Sequence, residues 1–414
     1  MVDLFVRVRE LSVALCAPLE IEDYGVQPMA DASPPKWHLA HTTWFFETFI
    51  LKEFVPGYQP VHEQYEYLFN SYYNGVGTPF PRVSRGFLSR PTVAQVLDYR
   101  VQIDEAMHEL LEGCDNEEIW RRLVLGCHHE QQHQELLITD LKYNFGHNPL
   151  YPAYVSAPVL PAARTPADMR FVEQSGGITY VGVNATSDSF FFDNEGPDHQ
   201  VLLQPYAVGD RLVTNGEYLE FINDGGYANP QIWLAEGWAH QLQQGWQCPE
   251  YWVQRDGQWF EYRLDGLHPL RLDLPVVHVS GHEAFAYANW AGARLMTEFE
   301  FEASVPLQTE GGYLEQGFFH PMACPEASAG SGGWIKQGFG QTWQWTASAY
   351  GPYPGYEPMA GTLGEYNGKF MSSQLVLRGA SCVTPQTHAR RTYRNFFYPP
   401  DRWQFTGIRL AKNV

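Results

Sequence analysis

The stretch CHHEQQHQE at residues 127–135 lies within a helical pattern that runs from about residue 118 to about residue 143. Two of its histidines, His129 and His133, are four positions apart. Residues at this spacing lie on one face of an α-helix, so both imidazoles can reach the same ion. The stretch therefore predicts a helix that carries part of a metal site.

Two other segments of the N-terminal part carry helical patterns. Residues 93–111 repeat apolar side chains mostly at intervals of three and four, and residues 37–54 do so after Pro34 and Pro35. Such intervals are typical of amphipathic helices. Residues 1–153 are therefore expected to fold as a bundle of about four helices, an architecture whose core commonly houses metals.

The composition changes after this bundle. Residues 148–168 contain five prolines among small residues, which is typical of a linker, and we place the linker at residues 154–168. Beyond it, glycines and prolines separate short apolar and aromatic runs, with helices expected near residues 282–290 and 298–303. Residues 169–414 are therefore expected to form a second, loop-rich α+β domain.

Composition and charge argue against several classes of protein. The formal net charge of −20 opposes binding to nucleic acid, because that binding depends on Lys and Arg displacing counterions from phosphates. No apolar tract reaches the length of about twenty residues that spans a bilayer, and residues 1–7 lack the pattern of a signal peptide. We expect a soluble, cytoplasmic protein whose partners are small molecules, with no nucleic acid and no membrane.

The metal site needs a further ligand. His41 lies in the helical pattern that follows the two prolines and can supply a third imidazole. Its neighbour His38, and likewise His128, point to other helical faces, where supporting or surface roles suit them better. The expected ligand set is therefore His41, His129 and His133.

Other chemistries fit the same residues. The stretch also matches H-E-x-x-H, in which Glu130 would be the general base of a zinc hydrolase. The residues that follow, QELLI, exclude only the subclass that needs a further glycine and histidine. A zinc hydrolase and a metal-stabilised binding module without turnover both stay open.

Several motifs resemble a known family. The segments PPKWHLAH at residues 34–41 and HEQQH at residues 129–133 resemble the DinB-like bundle of the sulfoxide synthases of ergothioneine biosynthesis, the EgtB family of hercynine oxygenases. Further along, four segments resemble the formylglycine-generating-enzyme fold, which is C-type-lectin-like: DNEGP (193–197), VTNGE (213–217), RLMTEFEF (294–301) and WQWT (343–346). The order of the two folds is the specific feature, and together they cover nearly the whole chain.

The resemblance implies an activity and a cofactor. Iron(II) would be held by His41, His129 and His133, leaving positions for the imidazole of hercynine (trimethylhistidine), a thiol and dioxygen. The product would be a sulfoxide in which the imidazole carbon is bonded to sulfur. Neutral imidazoles suit iron, and three protein ligands leave room for substrates. Synthases of the selenoneine and ovothiol pathways share the architecture and stay open.

The resemblance also implies catalytic and substrate-binding residues in the bundle. Residues 70–74, NSYYN, resemble the tyrosine pair of one subfamily, so Tyr72 or Tyr73 would donate a proton or hydrogen bond to oxygen. A phenol suits this role because its ordinary pKa of roughly 10 keeps it protonated at neutral pH. Arg82 and Arg85 follow closely and can bind the carboxylate of the thiol substrate.

The closing segment YRNFFY at residues 393–398 resembles the loop that completes the family's site. Asn395, with Gln132 from the bundle, would lie near the trimethylammonium of hercynine, for which amide oxygens and the rings of Phe396 and Phe397 are suitable neighbours. Relatives that use γ-glutamylcysteine carry an acidic residue two positions after the asparagine, where this chain has Phe397. The thiol is therefore expected to be L-cysteine.

The second fold taken alone would suggest a copper-dependent formylglycine-generating enzyme. That chemistry requires two nearby cysteines in the closing segment. Cys382 is present, but no second cysteine follows it. The copper activity is therefore not expected.

Overall fold

The computed structural model describes residues 1–158, 160–184, 186–187, 189–306, 311–325 and 335–414. They form two compact units. The first comprises Met1–Leu150 together with Met359–Tyr366, and the second comprises Tyr151–Pro358 and Asn367–Val414. The first is helical and the second mixes strands and helices, which confirms the fold class predicted from the sequence.

The first unit is built from α-helices. They are α1 (Val2–Cys16), α2 (Pro35–Phe46), α3 (Lys52–Phe54), α4 (Tyr65–Phe69), α5 (Val93–Leu111) and α6 (Glu117–Gly146). Local sequence sets the ends of the two longest helices. Thr92 and Gln95 exchange side-chain-to-backbone hydrogen bonds at the start of α5, and Asn116 accepts the Glu118 N–H at the start of α6.

Helix α2 packs against α5 and α6 and is buried along its whole length. A π-helical turn at Glu47–Leu51 joins it to α3. The sequence pattern predicts an amphipathic helix here, and that prediction is wrong, because a helix packed on all sides has no solvent face. Its polar residues, including His38 and His41, are consequently buried.

The second unit combines short strands and helices. Its helices are α7 (Asn215–Asn223), α8 (Ala235–Gln244), α9 (Gly281–Trp290) and α10 (Glu298–Ser304). Its strands are β1 (Phe171–Gln174), β2 (Gly177–Val181), β3 (His199–Leu203), β4 (Tyr206–Gly209), β5 (Trp252–Arg255), β6 (Gln258–Arg263), β7 (Gly266–Pro269), β8 (Arg294–Leu295), β9 (Trp343–Ala349), β10 (Leu375–Gly379), β11 (Asn395–Phe397), β12 (Thr406–Gly407) and β13 (Leu410–Asn413). Helices α9 and α10 lie where the sequence predicts helices.

Among the described residues, the two largest sheets have four strands each, in the orders β1-β4-β13-β8 and β11-β10-β9-β12. β2 pairs with β3, and β5, β6 and β7 form a three-stranded sheet. β12 runs parallel to β9, whereas β10 is antiparallel to both of its neighbours. No helix in the described part of the chain is long and apolar enough to cross a membrane.

Strand β11 is a half-buried strand at one edge of its four-stranded sheet. Arg394, the residue before it, donates to both carboxylate oxygens of Glu298 at 2.8 and 3.0 Å, and both side chains are buried. Along the strand, Asn395 lies opposite Leu377 of β10. A bidentate ion pair of this kind fixes orientation as well as position. The segment that carries Asn395, Phe396 and Phe397 is therefore well anchored.

Candidate metal centre

Three histidines from two helices meet in the first unit. His41 comes from α2, and His129 and His133 come from α6. One ring nitrogen from each lies within 4.8 Å of those of the other two. His41 Nε2 and His129 Nε2 are 3.2 Å apart. The structure therefore brings together the three residues that the sequence suggests as ligands.

The donor set suits a metal ion. Burial lowers the pKa of His129 to about 4. Burial also lowers the pKa values of His41 and His133 well below the usual range, and the neighbouring imidazoles lower them further. Neutral imidazoles offer the lone pairs that a metal requires. Two nitrogens bound side by side at about 2.0–2.1 Å from one ion lie about 3 Å apart, close to the observed separation.

Aromatic packing and one hydrogen bond orient His41. Its ring stacks on Trp37, with centroids 4.5 Å apart and planes 12° apart, and on Trp44, at 5.5 Å and 17°. These indoles are four residues before and three after it on α2, so one helix supplies both. His41 Nδ1 donates to the Phe69 carbonyl oxygen at 2.5 Å. The Nε2 lone pair is therefore left for the metal.

Glu130 is directed away from this chemistry. Its carboxylate accepts from Arg9 at 2.9 Å, Arg100 at 2.8 Å and Ser12 at 2.6 Å, and all four side chains are buried. Burial alone would raise the pKa of Glu130, but the two guanidinium groups hold it at about 2. A carboxylate held in two ion pairs is a poor general base. The arrangement therefore argues against the zinc-hydrolase alternative.

The tyrosine pair, Tyr72 and Tyr73, lies close to helix α2. The hydroxyl of Tyr72 donates to that of Tyr73 at 3.3 Å, and the ring of Tyr73 lies 5.8 Å from Trp44, the indole that stacks on His41. Burial raises the pKa of both phenols, and that of Tyr72 lies well above its usual range. Both phenols therefore stay protonated at neutral pH.

A distant segment completes the surroundings of this pair. Glu365 accepts the backbone N–H groups of Asn74 and Gly75 at 3.0 and 2.7 Å. The ring of Tyr366 stacks on Tyr72, with centroids 5.4 Å apart. A Cβ at Gly75 would lie 2.6 Å from Thr362 Oγ1 and 2.8 Å from the Glu365 carboxylate, so a larger residue there would displace these side chains. No signal in the sequence connects residues some 290 positions apart, so Glu365 and Tyr366 could not be predicted from it.

The two arginines differ sharply in environment. Arg85 is 3% exposed, donates to Ser33 and Ser71 at 2.8 and 2.9 Å, and lies 3.4 Å from the ring centre of Trp37. Among the described residues, no carboxylate forms an ion pair with it. The Arg82 side chain is 53% exposed and donates to the Asp31 carbonyl oxygen. Of these two arginines, Arg85 is therefore the buried one.

The remaining predicted residues belong to separate parts of the chain. Gln132 is half-buried on α6, one residue before His133. Asn395, Phe396 and Phe397 form β11 of the second unit, where Phe396 stacks on Tyr350 at 4.2 Å. The contact predicted between Gln132 and Asn395 across one substrate stays a prediction.

Comparison with known proteins matches two separate parts of the chain to two families. Residues 4–137 match the DinB superfamily, and residues 158–336 match the Sulfatase-modifying factor enzyme 1-like domain. A bundle with a largely buried three-imidazole site, followed by such a domain, defines a class of two-domain, metal-dependent enzymes. The chain is 31% identical to the hercynine oxygenase of Mycobacterium tuberculosis and 30% identical to that of Mycolicibacterium smegmatis, over 92% of its length and 91% of each relative. The chain belongs to the hercynine oxygenase family.

Two predictions are thereby confirmed. The family resemblance is correct, and the protein is an enzyme, an oxygen-dependent oxidoreductase. A more distant relative, ergothioneine biosynthesis protein 1 of Schizosaccharomyces pombe, is 28% identical over 55% of this chain and 28% of its own length.

Proposed function

We propose that this protein is an iron(II)-dependent hercynine oxygenase of ergothioneine biosynthesis. It joins hercynine to L-cysteine with dioxygen, giving hercynyl-cysteine sulfoxide and water. Bond formation between the imidazole carbon and sulfur removes two electrons, and oxidation of sulfur to the sulfoxide removes two more, so one dioxygen balances the reaction. The observation that carries the proposal is the site of three neutral imidazoles, two buried and one half-buried, in a chain similar to hercynine oxygenases over nearly its whole length.

The three histidines are the proposed iron ligands. Iron(II) bound there would activate dioxygen and lower the pKa of the thiol. Around it, the protein orients His41 between Trp37 and Trp44 and keeps water from the buried faces of the ligands. The chain's own contribution is therefore an oriented ligand set, with Tyr72, Tyr73 and Arg85 as the proposed proton donors and cation.

The phenol pair is the proposed proton donor. Replacing Tyr72 or Tyr73 with Phe is expected to leave metal binding intact and to slow sulfoxide formation by about a hundredfold or more, because general acids contribute effects of that size. The bound thiol would then be diverted to simple oxidation. Product analysis by mass spectrometry checks this, with Tyr67→Phe as control, since Tyr67 is 41% exposed. Unchanged rate and product in both variants would show that the pair only packs.

Arg85 is the proposed carboxylate-binding residue for the thiol. Its buried guanidinium has serine hydroxyl partners but no carboxylate among the described residues. Arg85→Met is expected to raise KM for the thiol by about tenfold to a hundredfold, since hydrogen bonds to charged groups contribute about 1.5–3 kcal/mol. Arg82→Met, at the surface, should change KM less than about twofold, within the weak range of exposed charges. Steady-state kinetics at saturating hercynine measure both, and equal effects would contradict the assignment to Arg85.

The second unit is proposed to complete substrate recognition. Asn395, Phe396 and Phe397, with Gln132 from the bundle, would surround the trimethylammonium, which donates no strong hydrogen bond and favours amide oxygens and aromatic faces. Phe397 offers no charge to a γ-glutamyl ammonium. L-cysteine is therefore the proposed thiol.

One experiment tests the function as a whole. The protein is loaded anaerobically with Fe(II), mixed with hercynine and L-cysteine or γ-glutamylcysteine, and exposed to oxygen while oxygen uptake and product mass are followed. Formation of the sulfoxide with a higher kcat/KM for cysteine is expected. A higher value for γ-glutamylcysteine would overturn the thiol assignment. Metal binding without any turnover would favour the binding-module alternative, and turnover only with selenium or ovothiol-pathway substrates would favour those relatives.

A further inference from the structure

A chain of hydrogen bonds leads from His133 into the interface between α2 and α6. His133 Nδ1 lies 2.9 Å from His38 Nδ1, and His38 Nε2 lies 3.0 Å from Asp140 Oδ2. The same oxygen accepts the backbone N–H of Ser33 at 2.7 Å. His38 and Asp140 are each 3% exposed. Asp140 follows His133 by two helical turns, so both lie on the face of α6 that meets His38.

The direction of these hydrogen bonds, from His133 through His38 to Asp140, determines which ring nitrogen of His133 carries no proton. A carboxylate accepts hydrogen bonds and does not donate them, so the proton shared with Asp140 belongs to His38 Nε2. The Nδ1 of a neutral His38 then accepts the Nδ1–H of His133. His133 Nε2 is left unprotonated, which is the form that binds a metal. In the reverse arrangement, Nε2 would carry the proton and could not be a ligand.

We propose that His38 and Asp140 are positioning residues of the metal centre, which select the tautomer and ring orientation of His133. The inference rests on the metal site of the proposed function and adds two residues to it. His41 receives equivalent support from a backbone carbonyl oxygen, that of Phe69. His133 is supported instead by the side chain of His38, which is in turn held by Asp140. A single substitution at either residue can therefore remove this support.

The test is a titration of the metal-free, full-length protein with Co(II), whose visible absorption spectrum reports its ligand set. His38→Phe keeps a ring but removes both nitrogens, and Asp140→Ala removes the carboxylate. Each is expected to weaken Co(II) binding by about tenfold to a hundredfold, the usual effect of losing such support, and to alter the spectrum. His38→Gln, whose amide oxygen can accept from His133, should recover part of the loss. His147→Phe, an exposed residue just after α6, is the control.

The outcomes separate the inference from the proposed function. Wild-type affinity and an unchanged spectrum in both variants would overturn the inference. The same holds if the metal-free variants only lose thermal stability while bound Co(II) keeps the wild-type spectrum, because that result marks a structural role. Failure of the wild-type protein to bind Co(II) would instead overturn the metal centre itself. Asp140→Leu, which fills the space but accepts no hydrogen bond, carries the same expectation if Asp140→Ala does not fold.

Discussion

Replacing His41, His129 or His133 with alanine is expected to abolish metal retention and, with it, oxygen-dependent turnover. Each imidazole offers one ring nitrogen, and the three nitrogens lie within 4.8 Å of one another. Two remaining imidazoles cannot hold the ion through purification, because losing even a supporting residue commonly costs about tenfold to a hundredfold in affinity and a ligand contributes more. Elemental analysis of the purified variants, set beside oxygen uptake, measures both effects.

The control is His147→Ala, which removes an exposed histidine outside the site. His41 is fully buried between two indoles, so its alanine variant also leaves a cavity. His41→Gln fills most of that space without providing an imidazole, and it should lose metal as well. Stoichiometric metal and turnover in either His41 variant would mean that the third ligand has been misassigned.

Glu130→Gln is expected to destabilise the protein by about 3–5 kcal/mol, the range found when one partner of a buried ion pair is removed. The substitution leaves the guanidinium groups of Arg9 and Arg100 buried without their counter-charge. Urea unfolding measures the free energy of unfolding, with Glu10→Gln, an exposed position on α1, as control. If Glu130 were instead the base of a hydrolase, the variant would keep its stability and lose activity.

The difference in the free energy of unfolding between wild type and Glu130→Gln should depend on pH. The pKa of Glu130 in the folded protein is about 2, below the value of about 4.3 expected in the unfolded chain. Its stabilising contribution is therefore fully present above about pH 4.3 and is lost as the pH falls towards 2. Over that interval the unfolding free energies of wild type and Glu130→Gln should converge. A constant gap would show that the charge of Glu130 is not what stabilises the fold.

The candidate ligands could be proposed from sequence because local geometry carries the information. His129 and His133 are neighbours on any α-helix, so their spacing alone predicts a shared face. His41 had no such spacing signal, and its place in the set rested on its position in another helical segment and on the resemblance of residues 34–41 to a family. The H-E-x-x-H match was also ambiguous, because a sequence motif does not show which groups the side chain of Glu130 contacts. Only the positions of Arg9 and Arg100 decide that.

Burial and long-range contacts could not be predicted. Arg82 and Arg85 look alike in sequence, and packing against Trp37 separates a buried cation from an exposed one. The contacts of Glu365 with the turn after Tyr73 join residues some 290 positions apart, beyond the reach of any periodicity. The burial of helix α2 was also not predicted, because its polar residues suggested a solvent-exposed face but are buried among neighbouring helices.

The membership of Met359–Tyr366 in the first unit limits how this enzyme can be recombined with its relatives. A gene fusion that exchanges the sequence after residue 150 would give the bundle a foreign version of Glu365 and Tyr366. The order of synthesis also separates the two groups of residues. His41, His129 and His133 leave the ribosome long before Glu365 and Tyr366, which contact the tyrosine turn. The three proposed metal ligands are therefore synthesised with the bundle, whereas the tyrosine turn reaches its final contacts only after residue 366 has been made.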